Sequence, residues 1–310
     1  MTTQPATIIH EFTATTVEAR QRLDMVLSAR LPHLSRSRIQ ALVKAGHATL
    51  AGAVAKSSEI VRTGDAVRLD EQAPPPPAGA RPEEIPLSIL HEDSGLVVVD
   101  KPAGMVVHIG AGHEEGTLVN ALLHHVGSLS TGSEAHRPGI VHRLDKETSG
   151  CIVVAKNDSV HAALSDAFAG RLVKKTYLAV VRGTPRHRKG TIDQPVGRHP
   201  VHRQRMTVRK PPNGREAVTD YEVLASREGW SLIACMPRTG RTHQIRVHLT
   251  HLGHPIAGDP LYGRRDGFGR HLLHAWRLEF AHPSTGEILR CTAPVPSDFD
   301  LVPFPSQPPA

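Results

Sequence analysis

The sequence predicts an α+β protein in two parts: a small N-terminal unit of helices and short strands, and a larger unit on a mostly antiparallel β-sheet flanked by helices and loops. Three observations carry this reading. Beyond residue 83 most apolar stretches are short and strand-like. Helical stretches there are separated by several strands instead of alternating with them one for one, which argues against a doubly wound sheet. Between the two parts, APPPPAGARP at residues 73–82 cannot continue a helix or a central strand and reads as stiff polyproline II. The expected units are therefore 16–71, a linker 72–82, a main unit 83–298 and a flexible tail 299–310.

In the small unit, RLDMVLSARL is helical, with Leu23, Val26 and Leu27 on one face. Ser35 is a suitable N-cap for a second helix carrying Ile39, Leu42 and Val43, and Gly46 supplies its stop. HATLAGAVA then turns at Gly52, and TGDAVRL closes the unit. In the large unit, GLVVVDKPAGMVVH reads as two strands around Lys101–Gly104, and GIVHRLDKETSGCIVVAKND as strand, loop, strand. SVHAALSDAFAG is an amphipathic helix capped by Asp158 and ended by Gly170. VKKTYLAVV is a buried strand, TDYEVLAS and WSLIACMP pair antiparallel, and RTHQIRVHLTHLG is helical.

Composition excludes several classes. No apolar run of the 310 residues approaches the ~20 needed to cross a membrane. The start, MTTQPATIIHEF, lacks the basic-then-apolar order of a signal peptide. Cys151, Cys235 and Cys291 are far apart and form no CxxC, which fits a reducing cytoplasm. His248, His251 and His254 have helical spacing without an interleaved carboxylate or Cys, so no metal is expected. The net charge is +7, but residues 171–215 alone hold thirteen Lys or Arg and one acid, a net of +12. A basic face on such a chain points to nucleic acid phosphate.

Chemistry concentrates in three stretches. In HRLDKETSG, Asp145 is an acid among His142, Arg143 and Lys146, which would hold it ionised as a nucleophile or a base, or as one half of a structural ion pair. In KKTY, Tyr177 follows Lys174 and Lys175, which can lower a phenol's pKa or bring RNA phosphate close. In TGRTHQIRVH, continuing to GHPIAGDPLYG, Arg241 sits near a helix N-terminus and can clamp an anion.

Residues 20–69, through RLD, LSRSRIQALVKAG and GD-V, resemble an S4 RNA-binding domain, with the usual Val-Asn-Gly turn replaced by Leu50-Ala51-Gly52. That resemblance implies that Arg36, Arg38 and Lys44 lie along structured RNA. Residues 85–296 resemble the RluA superfamily of ribosomal RNA pseudouridine synthases, nearest the RluD type. The matching words are GIVHRLDKETSG, RLVKKTYLAVV, VGRHPVHRQRMTV, GREAVTDYEVL, TGRTHQIRVHLTHLGHPIAGDPLYG and LLHAWRLEF. The segment RRDGFGRH before Leu272 is shorter than in many relatives.

The resemblance implies uridine isomerisation without a cofactor, in large-subunit (23S) ribosomal RNA and in particular its helix 69 stem-loop; the cysteine usage points to the cytoplasm, and a monomer is the default expectation. It implies that Asp145 is the catalytic carboxylate, attacking C1′ or taking a proton from C2′. Arg241 would pair with Asp145, Tyr177 would stack on the base and help remove the C5 proton, and Leu273 would line the pocket. Arg143 would fill the place of the flipped uridine, or else pair with Asp145. Lys174, Lys175, Arg203 and Arg205 would hold RNA around the pocket mouth. Other readings left open are a C-type synthase acting on other 23S uridines, a glycosidase using Asp145 with Glu147 or Asp259, and a non-catalytic RNA-binding assembly factor.

Overall fold

The computed structural model describes residues 8–71, 80–110, 113, 115–132, 137–264 and 266–301. Most of the expected linker and most of the expected tail lie outside these residues.

The N-terminal unit is a four-stranded sheet against two helices. β1 (Ile8–Thr13) pairs with β4 (Ala66–Glu71), which pairs in turn with β2 (Ala48–Leu50) and then β3 (Ala53–Val54). β1 therefore extends this unit forward of residue 16, where the sequence reading began it. α1 (Leu23–Arg30) and α2 (Arg36–Lys44) bury Leu23, Val26, Leu27, Ile39, Leu42 and Val43 against the sheet. The Ser35 side chain accepts from the Arg38 amide, so the predicted cap is present. Among the described residues, the unit's buried core runs from Ala14 to Leu69, with Phe12 packed against it.

The larger unit forms a nine-stranded sheet. Its strands are β5 (Ser88–Glu92), β6 (Leu96–Lys101), β7 (Ser149–Ala155), β8 (Lys174–Arg182), β9 (Lys189–Asp193), β12 (Val218–Arg227), β13 (Trp230–Pro237), β14 (Leu273–Ala281) and β15 (Ile288–Thr292). Between β9 and β12 the chain makes a separate hairpin of β10 (Val196–Arg198) and β11 (Met206–Val208). The main order is β5-β6-β7-β14-β8-β13-β12-β9, with β15 on β14. All pairs are antiparallel except β7 with β14.

Both faces of the sheet are covered. Val97, Val99, Ile152 and Val154 face a cluster that includes α3 (Leu118–Val126). Leu96, Val98, Cys151 and Val153 face the opposite side, under α4 (Asp158–Ala169). On β8, Tyr177, Ala179 and Val181 face the side of α5 (Gln244–His251), against Ile245 and Leu249. The strands β6 and β7 are buried on both faces, which explains their unbroken apolar runs.

Four local expectations need correction. The second half of GLVVVDKPAGMVVH is no strand; the chain leaves the sheet at Lys101. Only an isolated bridge, Ile140 to Val154, stands where a strand was expected before HRLD. α4 is capped by Asn157, whose side chain accepts from the Val160 amide, while Asp158 opens its first turn. The tail does not begin at 299, because Ser297–Leu301 forms a short 3-10 helix and Phe299 is buried in the cluster around Trp276.

Candidate active site

The Asp145 loop leads into β7, beside the only parallel seam in the sheet. Two buried cations hold the backbone just after Asp145. Lys101 Nζ donates to the carbonyls of Pro102, Met105 and Lys146 at 2.7, 2.9 and 3.1 Å. Burial pushes its pKa down to about 7. Arg270 Nη1 donates to the Glu147 carbonyl at 2.9 Å, and the same guanidinium pairs with Asp298. Thr148 Oγ1 and Ser149 Oγ bond His271 and His274 at 2.9 Å each. Gly150, with φ +109°, closes the loop where β14 passes so near that an added Cβ would lie 2.2 Å from the Ala275 carbonyl oxygen. The TSG of the sequence motif therefore anchors the loop to the β7–β14 seam.

The Asp145 carboxylate meets α5. Arg246 Nη1 donates to Asp145 Oδ2 at 2.9 Å. The rest of that guanidinium is held by Asp259: Nε to Oδ2 at 2.7 Å and Nη2 to Oδ1 at 2.9 Å. Asp259 Oδ1 in turn accepts from the Leu261 and Tyr262 amides. Burial opposes ionisation of Asp259, but the Arg246 hydrogen bonds outweigh it and its pKa is lowered. Arg246 is thus a fixed cation whose Nη1, the nitrogen Asp259 does not engage, is aimed at Asp145. Among the described residues, Oδ1 of Asp145 has no hydrogen-bond partner, which leaves it open to the cavity.

This arrangement corrects the expected partner. Arg241 does not pair with Asp145: its Nε donates to the Glu216 carbonyl and its amide to Gln244 Oε1. The physical reason lies in helix geometry. Arg241 precedes α5 in the turn, whereas Arg246 lies within the helix on the side facing the loop. Nor do the chain neighbours of Asp145 pair with it. His142 accepts from the Val153 amide and stacks on Phe168, and burial lowers its pKa to about 3. Arg143 and Lys146 are exposed. Asp259, the second carboxylate of the glycosidase alternative, is fully buried and engaged by Arg246.

A cavity of about 500 Å³ opens over this carboxylate, lined by Asp145, Arg143, Tyr177, Arg241, His243 and Leu273 among others. Burial, then the nearby Asp145 charge, raises the Tyr177 pKa, so its phenol stays protonated at neutral pH. The expectation that its lysine neighbours lower that pKa fails, because burial dominates. Lys175 also lines the cavity, whereas Lys174 pairs with Glu279 at 2.7 Å on the other side of the strand. Arg205 lies over the Tyr262 ring at 5.8 Å and Arg203 is exposed on the β10–β11 hairpin. In the N-terminal unit, Lys44 is exposed and Arg38 is half-buried. Arg36 donates to Asp24, a buried acid that also holds Arg22 and Gln40, so part of its charge is spent within the unit.

His248 bonds Thr219 and the Gln194 carbonyl, His254 bonds the Arg182 carbonyl, and His251 is exposed. Among the described residues, His10–His33–Glu71 and His91–Asp93–His282 bring three ligand-type atoms within 4.8 Å. In each, two imidazoles already converge on one carboxylate oxygen, and neither group lines the cavity.

Comparison with known proteins agrees with this geometry. A family model described as RNA pseudouridylate synthase matches residues 95–251. The chain belongs to that family. A second family model, for the S4 domain, matches residues 21–67. The synthase is 44% identical over 287 residues to the Ribosomal large subunit pseudouridine synthase D of Nitrosomonas europaea, covering 89% of this chain and 82% of that one. It is 43% identical to the Uncharacterized RNA pseudouridine synthase YlyB of Bacillus subtilis, covering 93% and 95%. The solved structure of Human RNA Pseudouridylate Synthase Domain Containing 1 superposes with a TM-score of 0.57 at 29% identity, covering 68% of the synthase and 84% of that chain. The synthase is therefore an isomerase acting on RNA, with an S4 domain at its N-terminal side. Among the described residues no helix is long and apolar enough to cross a membrane.

Proposed function

We propose that the synthase converts uridine to pseudouridine in 23S ribosomal RNA, in the helix 69 stem-loop, and that Asp145 is its catalytic carboxylate. The observation that carries this is a single carboxylate at a cavity of about 500 Å³, fixed through one oxygen by Arg246 and free at the other. The reaction detaches uracil at N1, turns the ring and rejoins it through C5, so it needs a carboxylate beside C1′ and C2′ of the ribose. Arg246 sets a positive charge and a hydrogen-bond donor against that carboxylate. The target uridine leaves its stack to enter, at a cost of a few kcal/mol offset by contacts in the pocket. Arg143, exposed at the cavity mouth, takes its place in the RNA, and Tyr177 and Leu273 pack on the base. Removal of the C5 proton through Tyr177 requires its own proton to move on at the same time, because the phenol is protonated.

The RNA choice is supported by the relative in Nitrosomonas europaea, whose name places its action on the large ribosomal subunit. It is supported too by the basic segment 171–215, whose β10–β11 hairpin lies beside α5. We infer a monomer acting in the cytoplasm, where this RNA is made.

The test is Asp145→Asn, nearly isosteric and unable to act as nucleophile or base. RNA binding is expected to persist and turnover to vanish, read by carbodiimide labelling of pseudouridine in unmodified 23S transcript. Substantial conversion by this variant in a single turnover overturns the assignment. Conversion by the wild type at uridines outside helix 69 overturns the site choice alone.

A further inference from the structure

The GDPLYG motif supplies Asp259 to Arg246, and it also supplies Tyr262. Tyr262 lies beside the site, against Arg246 and His243. Its ring packs under the Arg246 guanidinium at 5.1 Å, and its hydroxyl accepts from the Met206 amide at 2.7 Å. The same hydroxyl lies 2.8 Å from His243 Nδ1. With a backbone N–H already directed at the oxygen, the hydroxyl proton has one acceptor in reach, the imidazole Nδ1. With Nδ1 accepting that proton, His243 is the Nε2–H tautomer. Its Nε2 then faces Asp145 Oδ2 at 3.7 Å, with the side chain mostly buried.

We propose that His243 is a positioning residue for Asp145: Tyr262 fixes its tautomer, and its Nε2–H joins Arg246 on Oδ2 so that Oδ1 is the oxygen that reacts. This rests on the assignment of Asp145 above. At 3.7 Å the contact is not yet a hydrogen bond. A shift of about 0.8 Å, as when hydrogen bonds of a site tighten on substrate binding, brings it to the usual length. Burial lowers the His243 pKa, Asp145 opposes this and Arg246 adds to it, so the ring is neutral at neutral pH. A neutral imidazole can donate without giving up a proton, as neutral histidines at helix N-termini do elsewhere. His243 stands in that place, immediately before α5, with φ 56° and ψ 19°.

The backbone makes the test sharp. A left-handed φ favours Asn over Gln, so if His243 only shapes the turn, His243→Asn is the milder change. If the Nε2 donor matters, the order reverses, because the Gln amide nitrogen reaches the place of Nε2 and the Asn amide only that of Nδ1. Single-turnover rates on unmodified 23S transcript, with RNA affinity and melting temperature alongside, read this order. We expect His243→Gln within about threefold of wild type and His243→Asn about tenfold slower, the cost of one hydrogen bond, with RNA affinity unchanged in both. Tyr262→Phe keeps the ring under Arg246 and removes only the hydroxyl; we expect it to be about threefold to tenfold slower at unchanged affinity. His243→Asn at least as fast as His243→Gln, or Tyr262→Phe at wild-type rate, overturns the proposal. Turnover by Asp145→Asn overturns the assignment of Asp145 and this proposal together, whereas an inactive Asp145→Asn beside a fast His243→Asn overturns this one alone.

Discussion

Replacing Arg246 by lysine should slow the reaction far more than the same change at Arg241. The two arginines lie five residues apart in one motif, and their surroundings differ. Arg246 spends two donors on buried Asp259 and one on Asp145. A lysine keeps the charge but has one nitrogen and no fork, so it cannot serve both carboxylates in this geometry. Buried Asp259 has the prior claim, and Asp145 then loses a charge-assisted hydrogen bond worth about 1.5–3 kcal/mol. If that bond is fully used in the transition state, the rate falls by about tenfold to a hundredfold. Lysine is preferred to methionine because removing the charge would leave Asp259 buried and unpaired, a loss of about 3–5 kcal/mol that threatens the fold. At Arg241 the side chain bonds only the Glu216 carbonyl, at the cavity rim. Arg241→Lys should keep its single-turnover rate within about threefold, because its hydrogen bond does not touch the catalytic carboxylate, and weaken RNA binding instead. The assay is single-turnover conversion of unmodified 23S transcript with a parallel binding measurement. A rate lost in Arg241→Lys and kept in Arg246→Lys would refute the reasoning and restore Arg241 as the partner of Asp145.

Three further outcomes follow from the same structure. Tyr177→Phe should keep its packing and RNA affinity but slow product formation by about a hundredfold if the hydroxyl handles the C5 proton; an unchanged rate with weaker binding makes Tyr177 a platform only. Lys101→Met should lower both stability and rate, since three loop carbonyls lose their donor. Because the folded pKa of Lys101 is about 7 against 10.5 in the unfolded chain, the unfolded state binds the extra proton between those values. Wild-type stability relative to Lys101→Met should therefore rise from pH 7 toward 10, read by denaturant melts, and a gap that narrows counts against it. Deleting residues 1–80 should leave a folded, active remainder with weaker RNA binding, because the N-terminal core shares no member with the clusters beyond it; a folded remainder inactive on saturating stem-loop RNA would show that the S4 domain helps build the site.

Much of the fold was legible because its signals are local. The helical faces of α1 and α2, the Ser35 cap and the paired strands β12 and β13 follow from periodicity and capping within a dozen residues. Errors arose where an apolar run is explained by something other than a strand. Met105–Val107 is apolar because it packs under α3, and the carbonyls of Pro102 and Met105 bond Lys101 instead of a neighbouring strand. The site was half legible for the same reason. Asp145, Tyr177 and Leu273 stand out within short words of sequence, and the structure places all three on one cavity. The partner of Asp145 depends on which of two arginines a helix turns inward. Helical spacing alone held one clue: Arg246 and Val247 lie in the first turns of α5, both buried, whereas Arg241 precedes the helix.

The deeper lesson concerns Asp259. In the sequence it is one acid among thirty, in a glycine- and proline-rich stretch that reads as a loop. In the structure its two oxygens take Nε and Nη2 of Arg246 and leave Nη1 to face Asp145 alone. A guanidinium free to rotate could satisfy Asp145 through either or both of its carboxylate oxygens. One locked by a buried partner can reach only Oδ2. Lys101 and Arg270 constrain the other side of the contact, by holding the carbonyls of Lys146 and Glu147. The acid and its cation are thus each fixed by a second, buried group of opposite charge or polarity. A carboxylate held this way meets its substrate through one defined oxygen, already paired with its cation before the ribose arrives, which is the preorganisation that electrostatic catalysis draws on.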